Sequence, residues 1–513
     1  MSRRFVLAVD QGTTSSKAFL ITKDGQVISS KGIPLTQHYP EPGFVEHDPD
    51  EIYFSVLRAI AGLLIDNKVQ KGEIVSMGIT NQRETTVCFD RETLRPFCNA
   101  ICWQCRRTSD ICKREELTSK ADMIALKTGL KLDPYFSGTK MRYIFENIDK
   151  TYEEAGKGNC LMATVDAYLI YRLTDKKVFA TDYSNASRTL LFNINTLEYD
   201  EELLKLFDIP RKCLADPVPS SHDFGQISIK AGEVPLGARE AEALEILNGV
   251  HITGVAGDQA AALFGQTCFE KGESKTTFGT GCFTLMNVGT SPVFSSNGLL
   301  TSCSWSFDGV TSYALEGSVF QGGSIITWLK EEMGLIREPS DCDRICSSLP
   351  DNGGVYLVPA FTGLGAPFWN SEVRGAILGL TRGTGGDYIV RAGVESIAYQ
   401  VALLAETMKL ETGNAFSEMK VDGGVCACDF LMQLQSDILG ADIVRAGSDE
   451  MTALGVGFIS GFTCGFYSSF EELKSLHKAF KVYKPAEDRE KASKLLDGYG
   501  KAVKILTGQD TGS

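Results

Sequence analysis

Two stretches far apart in this 513-residue chain share one plan, and that repetition constrains the fold more than any other feature. In the first, residues 5–9 are an apolar run that ends in Asp10. The chain then passes through Gln11-Gly12-Thr13-Thr14-Ser15-Ser16 and alternates again over 17–22. In the second, about 265 residues later, 274–278 precede Gly279-Thr280-Gly281, and 283–288 follow. Each reads as strand, Gly/Thr turn, strand. The letters do not repeat, so the echo is one of pattern, and it predicts two domains of similar plan. Length requires the same, because a single hydrophobic core stops growing at roughly 300 residues. Such turns also have a chemistry. Small residues let successive N–H groups converge on one point, and Thr or Ser hydroxyls add donors, which makes a concave site for phosphate. One such turn is satisfied as a plain hairpin; two in matching places favour the phosphate reading. No GxxxxGK[ST] occurs, so this is not a P-loop protein.

Between and beyond these turns, helical and strand signals alternate. Residues 50–65 carry Ile52, Val56, Ile60 and Leu64 at helical spacing. A strand over 74–79 ends at Thr80-Asn81-Gln82-Arg83-Glu84, and another ends at Gly257, followed by a helix over 259–265. Residues 311–315 read as a strand. Residues 318–332 read as a helix opening on a glycine pair, 386–410 as a long amphipathic helix, and the charged tail 473–506 as helical. The predicted class is α/β, divided into 1–266 and 267–513. The net charge of −14 argues against a nucleic-acid or anionic-membrane surface. No run of about 18 apolar residues is present, the first residues lack a signal-peptide stretch, and the last do not form a peroxisomal address. The expectation is a cytoplasmic protein without membrane insertion. Fifteen cysteines, an odd number in a large chain, predict reduced thiols. The close pairs Cys102/Cys105 and Cys426/Cys428 have no histidine nearby in sequence to complete a zinc site, and read as buried thiols.

Three further places can carry chemistry. Asp10, at a strand end, suits an outer-shell ligand of Mg²⁺, which prefers carboxylates plus waters. Asp258 in Gly257-Asp258-Gln259 sits where open α/β sheets bind ligands, and a carboxylate there can take the proton of an attacking hydroxyl. The same Asp also suits a helix N-cap, and the segment alone leaves both open. Arg83-Glu84 sets five donors beside two acceptor oxygens, fitting the hydroxyls of a polar substrate, or else forms a surface ion pair of little weight.

Taken in order along the chain, these segments resemble the FGGY family of carbohydrate kinases, and within it the members that act on glycerol. The residues are Asp10 to Ser16, Glu46-His47-Asp48-Pro49, Asn81-Gln82-Arg83-Glu84-Thr85-Thr86, Trp103-Gln104-Cys105-Arg106-Arg107-Thr108, Asn185-Ala186-Ser187-Arg188-Thr189 and Gly257-Asp258-Gln259. In the second half they are Gly279 to Phe283, Ala314-Leu315-Glu316-Gly317, Phe361 to Pro367, Val421-Asp422-Gly423-Gly424 and Thr452-Ala453-Leu454-Gly455. Each is weak alone; their order and spacing together are specific.

The resemblance implies two ribonuclease-H-like domains of the actin/hexokinase superfamily facing across a cleft. It implies transfer of the γ-phosphoryl group of ATP to glycerol with Mg²⁺, giving sn-glycerol 3-phosphate and ADP. A kinase of another small polyol or ketose is the alternative within the family. By the same resemblance Asp258 is the general base. Arg83, Glu84, Tyr135, Asp258 and Gln259 would hold the hydroxyls, and Trp103 and Phe283 would cover the carbons. Asp10 would organise Mg²⁺. Thr13, Thr14, Ser15 and Lys17 would meet the phosphates from one side, and Thr280, Gly323, Thr327, Gly424 and Cys428 the nucleotide from the other. Lys17, Thr327 and Cys428 depart from the family's usual Arg, Gln and Asn, all on the nucleotide side. Residues 237–248 lack the Gly-rich basic loop that binds a sugar bisphosphate in some members, and His222 does not match the regulatory histidine pattern of others, so neither control is expected. Family members commonly form homodimers or homotetramers.

Overall fold

The computed structural model describes residues 3–230, 235–368, 370, 372–414 and 416–508. Strand β1 (Phe5–Gln11) is buried along its length except at Asp10, as a strand covered on both faces must be. It pairs antiparallel with β2 (Ser15–Ile21), which pairs antiparallel with β3 (Val27–Pro34). On its other side β1 pairs parallel with β4 (Ile74–Asn81), and β4 pairs parallel with β5 (Ile252–Gly257). The sheet order is β5-β4-β1-β2-β3. Helix α1 (Pro49–Asp66) starts where Asp48 accepts from the N–H groups of Asp50 and Glu51, with Pro49 in the first turn. Ile52, Val56, Ile60 and Leu64 are buried, as their spacing predicts, and α1 packs on β2 and β3.

The second sheet repeats the first. Its strands are β6 (Ser274–Phe278), β7 (Cys282–Gly289), β8 (Leu300–Phe307), β9 (Val310–Val319), β10 (Glu418–Asp422), β11 (Asp442–Ala446) and β12 (Ala479–Tyr483). Their order is β8-β9-β7-β6-β10-β11-β12. Without the edge strands β8 and β12, the run β9-β7-β6-β10-β11 is the counterpart of β3-β2-β1-β4-β5: an antiparallel meander, then two parallel strands. This is the ribonuclease-H-like plan twice over.

Helices α2 (Asp258–Gly265), α3 (Gly323–Glu331), α4 (Gly386–Thr412), α5 (Asp429–Leu439), α6 (Met451–Thr463) and α7 (Glu490–Thr507) complete the described frame used below. Although α6 follows β11 of the second sheet, it lies against β1, β4 and β5 of the first, and against α2. The α2–α6 crossing depends on glycine. A Cβ on Gly455 would stand 1.8 Å from the Ala261 carbonyl oxygen, and one on Gly265 2.0 Å from that of Met451. Around this crossing one apolar cluster draws on both halves: Val6, Ala8, Phe19 and Ile21 from one sheet, Leu285, Trp305 and Phe307 from the other.

Two expected elements differ. The helix predicted from residue 318 begins at Gly323, because Ser318 and Val319 still pair with Phe283 and Cys282 in the sheet. The tail predicted as helical contains strand β12, antiparallel to β11. Residues 479–482 are exposed, so the segment lacks the alternating burial that marks a strand in sequence; pairing with β11 makes it one. All fifteen cysteines are free thiols, and all but Cys98 and Cys464 are buried. Among the described residues no helix is long and apolar enough to cross a membrane.

Candidate active site

Arg83 and Glu84 leave the end of β4 in opposite directions. Glu84 has a φ of 62°, a left-handed conformation uncommon outside glycine, and this turn separates the two side chains. They do not pair with each other. Arg83 Nη1 and Nη2 donate to Glu316 Oε2 and Oε1 at 2.7 and 3.1 Å. Glu84 Oε1 accepts from Arg188 Nε at 2.5 Å, and Arg188 Nη2 reaches Glu316 Oε1 at 3.3 Å. All four are at most 5% exposed. Two guanidinium groups and two carboxylates therefore alternate in a buried chain, Arg83–Glu316–Arg188–Glu84, that joins the halves, since Glu316 lies on β9. Burial disfavours the ionised Glu316, but Arg188 and Arg83 outweigh it and hold its carboxyl down to about 2.

The chain of charges continues to Asp258. Arg83 Nε stands 3.0 Å from Asp258 Oδ1, which also accepts from the Gln259 N–H at 2.7 Å. Among the described residues Asp258 Oδ2 carries no hydrogen bond, and the side chain is 34% exposed. The N-cap of α2 is Gly257, with Asp258 as the first helical residue, so its carboxylate is not spent as the cap. Gly257 N–H donates to Ser184 Oγ at 2.8 Å, which fixes the strand end beneath it. Gln259 is half-buried, and its Oε1 accepts from Lys275 Nζ at 2.6 Å.

Aromatic rings border this cluster. Trp103 and Tyr135 meet edge to face with centroids 5.6 Å apart, and Arg188 lies 5.2 Å over the Tyr135 ring. Fully buried Lys140 donates to the carbonyls of Pro134, Tyr135 and Phe136, and so holds the turn that presents Tyr135. Burial pulls its ammonium down to about 8. Phe283, on β7, is half-buried and packs against the cluster shared by both sheets, whereas Trp103 and Tyr135 pack against a separate cluster of the first half. Trp103 Nε1 donates to Thr13 Oγ1 at 2.9 Å, and this bond ties the aromatic group to the first Gly/Thr turn.

That turn closes with Gly12 N–H on the Ser15 carbonyl at 2.9 Å; Thr14 is exposed, Thr13 and Ser15 half-buried. Beside it, burial and then the charges of Asp258 and Glu450 push Asp10 up to about 7, with Lys17 opposing. Lys17 Nζ stands 3.2 Å from Glu450 Oε1. Among the described residues no three His, Cys, Asp or Glu side chains are grouped to hold a metal on their own. The second turn is gripped by the start of α3. Gly322 and Ser324 N–H groups donate to the Thr280 carbonyl at 2.9 and 3.1 Å, and Gly323 N–H to that of Gly279 at 2.7 Å. Exposed Thr327 turns its hydroxyl back to the Gly323 carbonyl at 3.3 Å. A Cβ on Gly424 would meet nothing within 4 Å, so the backbone there is open. Cys428 is 7% exposed, and its thiol lies 3.7 Å from Asp343 Oδ1. Its side chain is turned into the protein, and burial pushes the thiol up to about 12.

A carboxylate with one oxygen anchored and one free, next to a buried chain of guanidinium and carboxylate groups in a fold that carries two phosphate-type turns, is equipped to activate a hydroxyl toward a nucleotide phosphate. This is the chemistry of a sugar or polyol kinase. Residues 5–265 match the N-terminal domain of the FGGY family of carbohydrate kinases, and residues 275–462 its C-terminal domain. The chain belongs to this family. The curated glycerol kinase of Listeria welshimeri is 47% identical over 507 residues, spanning 98% of this chain and 99% of its own. That of Carboxydothermus hydrogenoformans is 45% identical over 503 residues, 98% of each. The crystal structure of Plasmodium falciparum glycerol kinase with ADP superposes with a TM-score of 0.92 at 32% identity, covering 99% of both chains. A gluconate kinase from Lactobacillus acidophilus shares the fold, with a TM-score of 0.86 at 22% identity.

Sequence reasoning gave no role to Arg188, Glu316, Lys140 or Lys275. Arg188 and Glu316 lie inside segments quoted for the resemblance, but nothing local shows that they meet Glu84 and Arg83. Lys275 had a visible signal: a lysine inside the short strand 274–278, where a buried charge demands a partner.

Proposed function

We propose that this chain phosphorylates glycerol with ATP, giving sn-glycerol 3-phosphate and ADP. The observation that carries the reading is the state of Asp258, with Oδ1 held by Arg83 and the Gln259 N–H while Oδ2 has no hydrogen-bond partner among the described residues and the side chain is partly exposed near Asp10. Oδ2 takes the proton of the terminal hydroxyl as that oxygen forms its bond to the γ-phosphorus. The bond from that phosphorus to the oxygen bridging to the β-phosphate breaks, and ADP leaves with the electron pair. Full-length identity of 45–47% to curated glycerol kinases supports glycerol as the acceptor.

The acceptor pocket suits a short polyol. Arg83, Glu84, Tyr135 and Gln259 supply donors and acceptors for its hydroxyls, and Trp103 and Phe283 supply apolar faces for the carbons. Because the Arg and Glu side chains are already fixed by buried partners, a hydroxyl meets them preorganised. Thr13, Thr14, Ser15 and Lys17 face the phosphates from the first domain. Thr280, Gly323, Thr327 and Gly424 face the nucleotide from the second, with Cys428 contributing backbone only. Mg²⁺, when bound, would supply positive charge to neutralise that of the phosphates. Asp10 fits as an outer-shell ligand for it, because a carboxyl pushed up by burial and by neighbouring Asp258 and Glu450 is relieved by an added cation. The division into 1–266 and 267–513 is part of this reading, supported by the strands of one sheet lying within 5–257 and those of the other within 274–483. A homodimer or homotetramer in the cytoplasm is the family expectation, which light scattering and cell fractionation test.

The deciding experiment is ADP release from MgATP with glycerol, xylulose, erythritol or dihydroxyacetone, and with none. Release that depends on glycerol is expected. Negligible glycerol turnover beside rapid turnover of another acceptor would sink the assignment.

A further inference from the structure

Lys275 stands at the acceptor end, yet the reaction chemistry does not call for it. It lies on β6, central in the second sheet, and is 0% exposed. Register defines its surroundings. Lys275 pairs with Leu285, Leu285 with Glu316, and Thr277 with Phe283. Paired residues share a face of the sheet, and so do residues two apart on a strand. Lys275, Thr277, Phe283 and Glu316 therefore form one surface of the second domain, the surface that meets α2 of the first. From it, Lys275 Nζ donates to Gln259 Oε1 at 2.6 Å and to Thr277 Oγ1 at 2.9 Å. Asp422, Asp258 and Glu316 surround the ammonium, Arg83 opposes it, and burial pulls its pKa down.

An ammonium has three donors and no acceptor. The Gln259 atom facing it at 2.6 Å is therefore the carbonyl oxygen, whatever the ambiguity of an isolated amide. With that oxygen engaged by the ammonium, the NH₂ group is what Gln259 has left to offer a hydroxyl beside Asp258. A hydroxyl oxygen accepting from that NH₂ is free to give up its own proton.

We propose that Lys275 is a positioning residue of the second domain that fixes the donor face of Gln259 and so selects acceptors presenting a hydroxyl oxygen at that point. The assignment rests on the glycerol reading above. It makes acceptor recognition depend on a contact between the domains, although Gln259 itself belongs to the first.

Steady-state kinetics of Lys275→Met, Gln259→Ala and the double variant test it. Lys275→Met is expected to raise the glycerol KM about tenfold, as a lost charged hydrogen bond does. The ATP KM should stay within about twofold, and the double variant should match Gln259→Ala alone, since Lys275 acts only through that amide. Independent effects that multiply in the double variant, or an equal rise in the ATP KM, would overturn the proposal. Should Lys275→Met not fold, Thr277→Val keeps the ammonium and removes one of its two anchors. A smaller rise in glycerol KM, absent in the Gln259→Ala background, is then expected, and no rise at all overturns it. Glycerol-dependent ADP release by the unaltered chain is the separate control. Its absence defeats the function itself, whereas its presence with multiplying variants defeats only the role of Lys275.

Discussion

The hairpins β1–β2 and β6–β7 are one backbone device used for two chemistries. In the first, Asp10 pairs with Lys17 two residues before Gly12; in the second, Thr277 pairs with Phe283 two residues before Gly279. One register position thus holds a charge pair suited to phosphate and cation, and its counterpart a hydroxyl and a ring suited to a polyol and its carbons. The turns are also held differently. The first is tied by Trp103 to the aromatic pair it forms with Tyr135, the second by the backbone at the start of α3. A duplicated fold fixes where the turns sit; the neighbours of each turn decide what it reads.

The sharpest test of this division is Asp258, the carboxylate whose charge acts on Asp10. Asp258→Asn removes the proposed base and keeps the shape, so kcat should fall by about 10³ while glycerol affinity changes a few-fold. Calorimetric binding together with turnover measures both, and near-normal turnover would mean that another base operates.

Next in size is the joint between the domains. Glu316→Gln leaves Arg83 and Arg188 buried with too little negative charge, a loss of about 3 kcal/mol by chemical denaturation. An unchanged unfolding midpoint would show that the buried chain of charges does not hold the halves together.

Asp10 distinguishes the first hairpin from the second through pH. Its carboxyl releases a proton near 3.8 when unfolded but only at about 7 when folded. Over that window the unfolded chain binds fewer protons, so stability falls as pH rises. Asp10→Asn removes the penalty. Without divalent cation it should be more stable than the parent by about 2 kcal/mol above pH 7, which discounts the linkage value for the solvent contact Asp10 keeps. The gap should vanish near pH 3, and thermal melts across pH read it directly.

The turns themselves differ in tightness. A Cβ on Gly281 would stand 2.6 Å from the Val319 carbonyl oxygen, whereas one on Gly12 stands 3.2 Å from that of Ser15. Gly281→Ala should cost about 1–3 kcal/mol and Gly12→Ala less than about 1. Equal costs would erase the contrast. A further small effect is expected from Trp103→Phe. It removes the bond to Thr13, worth about 1 kcal/mol, so the ATP KM should rise about fivefold although Trp103 lies on the acceptor side.

Much of the frame was legible beforehand, for a physical reason in each case. The turn residues of both hairpins, the 3.6-residue spacing of α1 and the Gly257 strand end are local signals that tertiary contacts did not override. Where pairing alone decides, the reading failed: Ser318 and Val319 extend a strand toward Gly323, and the exposed residues of β12 carry no pattern until β11 is beside them. Arg83-Glu84 shows the limit most clearly. As neighbours in sequence they read as one ion pair, but the left-handed turn at Glu84 sends them to Glu316 and Arg188, in segments that only the fold brings near.

By itself, then, the sequence determined a twice-used hairpin, an α/β frame and the residue types a phosphoryl-transfer site needs, because backbone sterics and hydrophobic spacing act over a few residues. Tertiary structure decided which charges are neutralised, which oxygen of Asp258 stays free, and that Lys275 holds the carbonyl oxygen of Gln259. Those outcomes depend on groups hundreds of residues apart meeting where water is excluded, and no local pattern encodes that meeting.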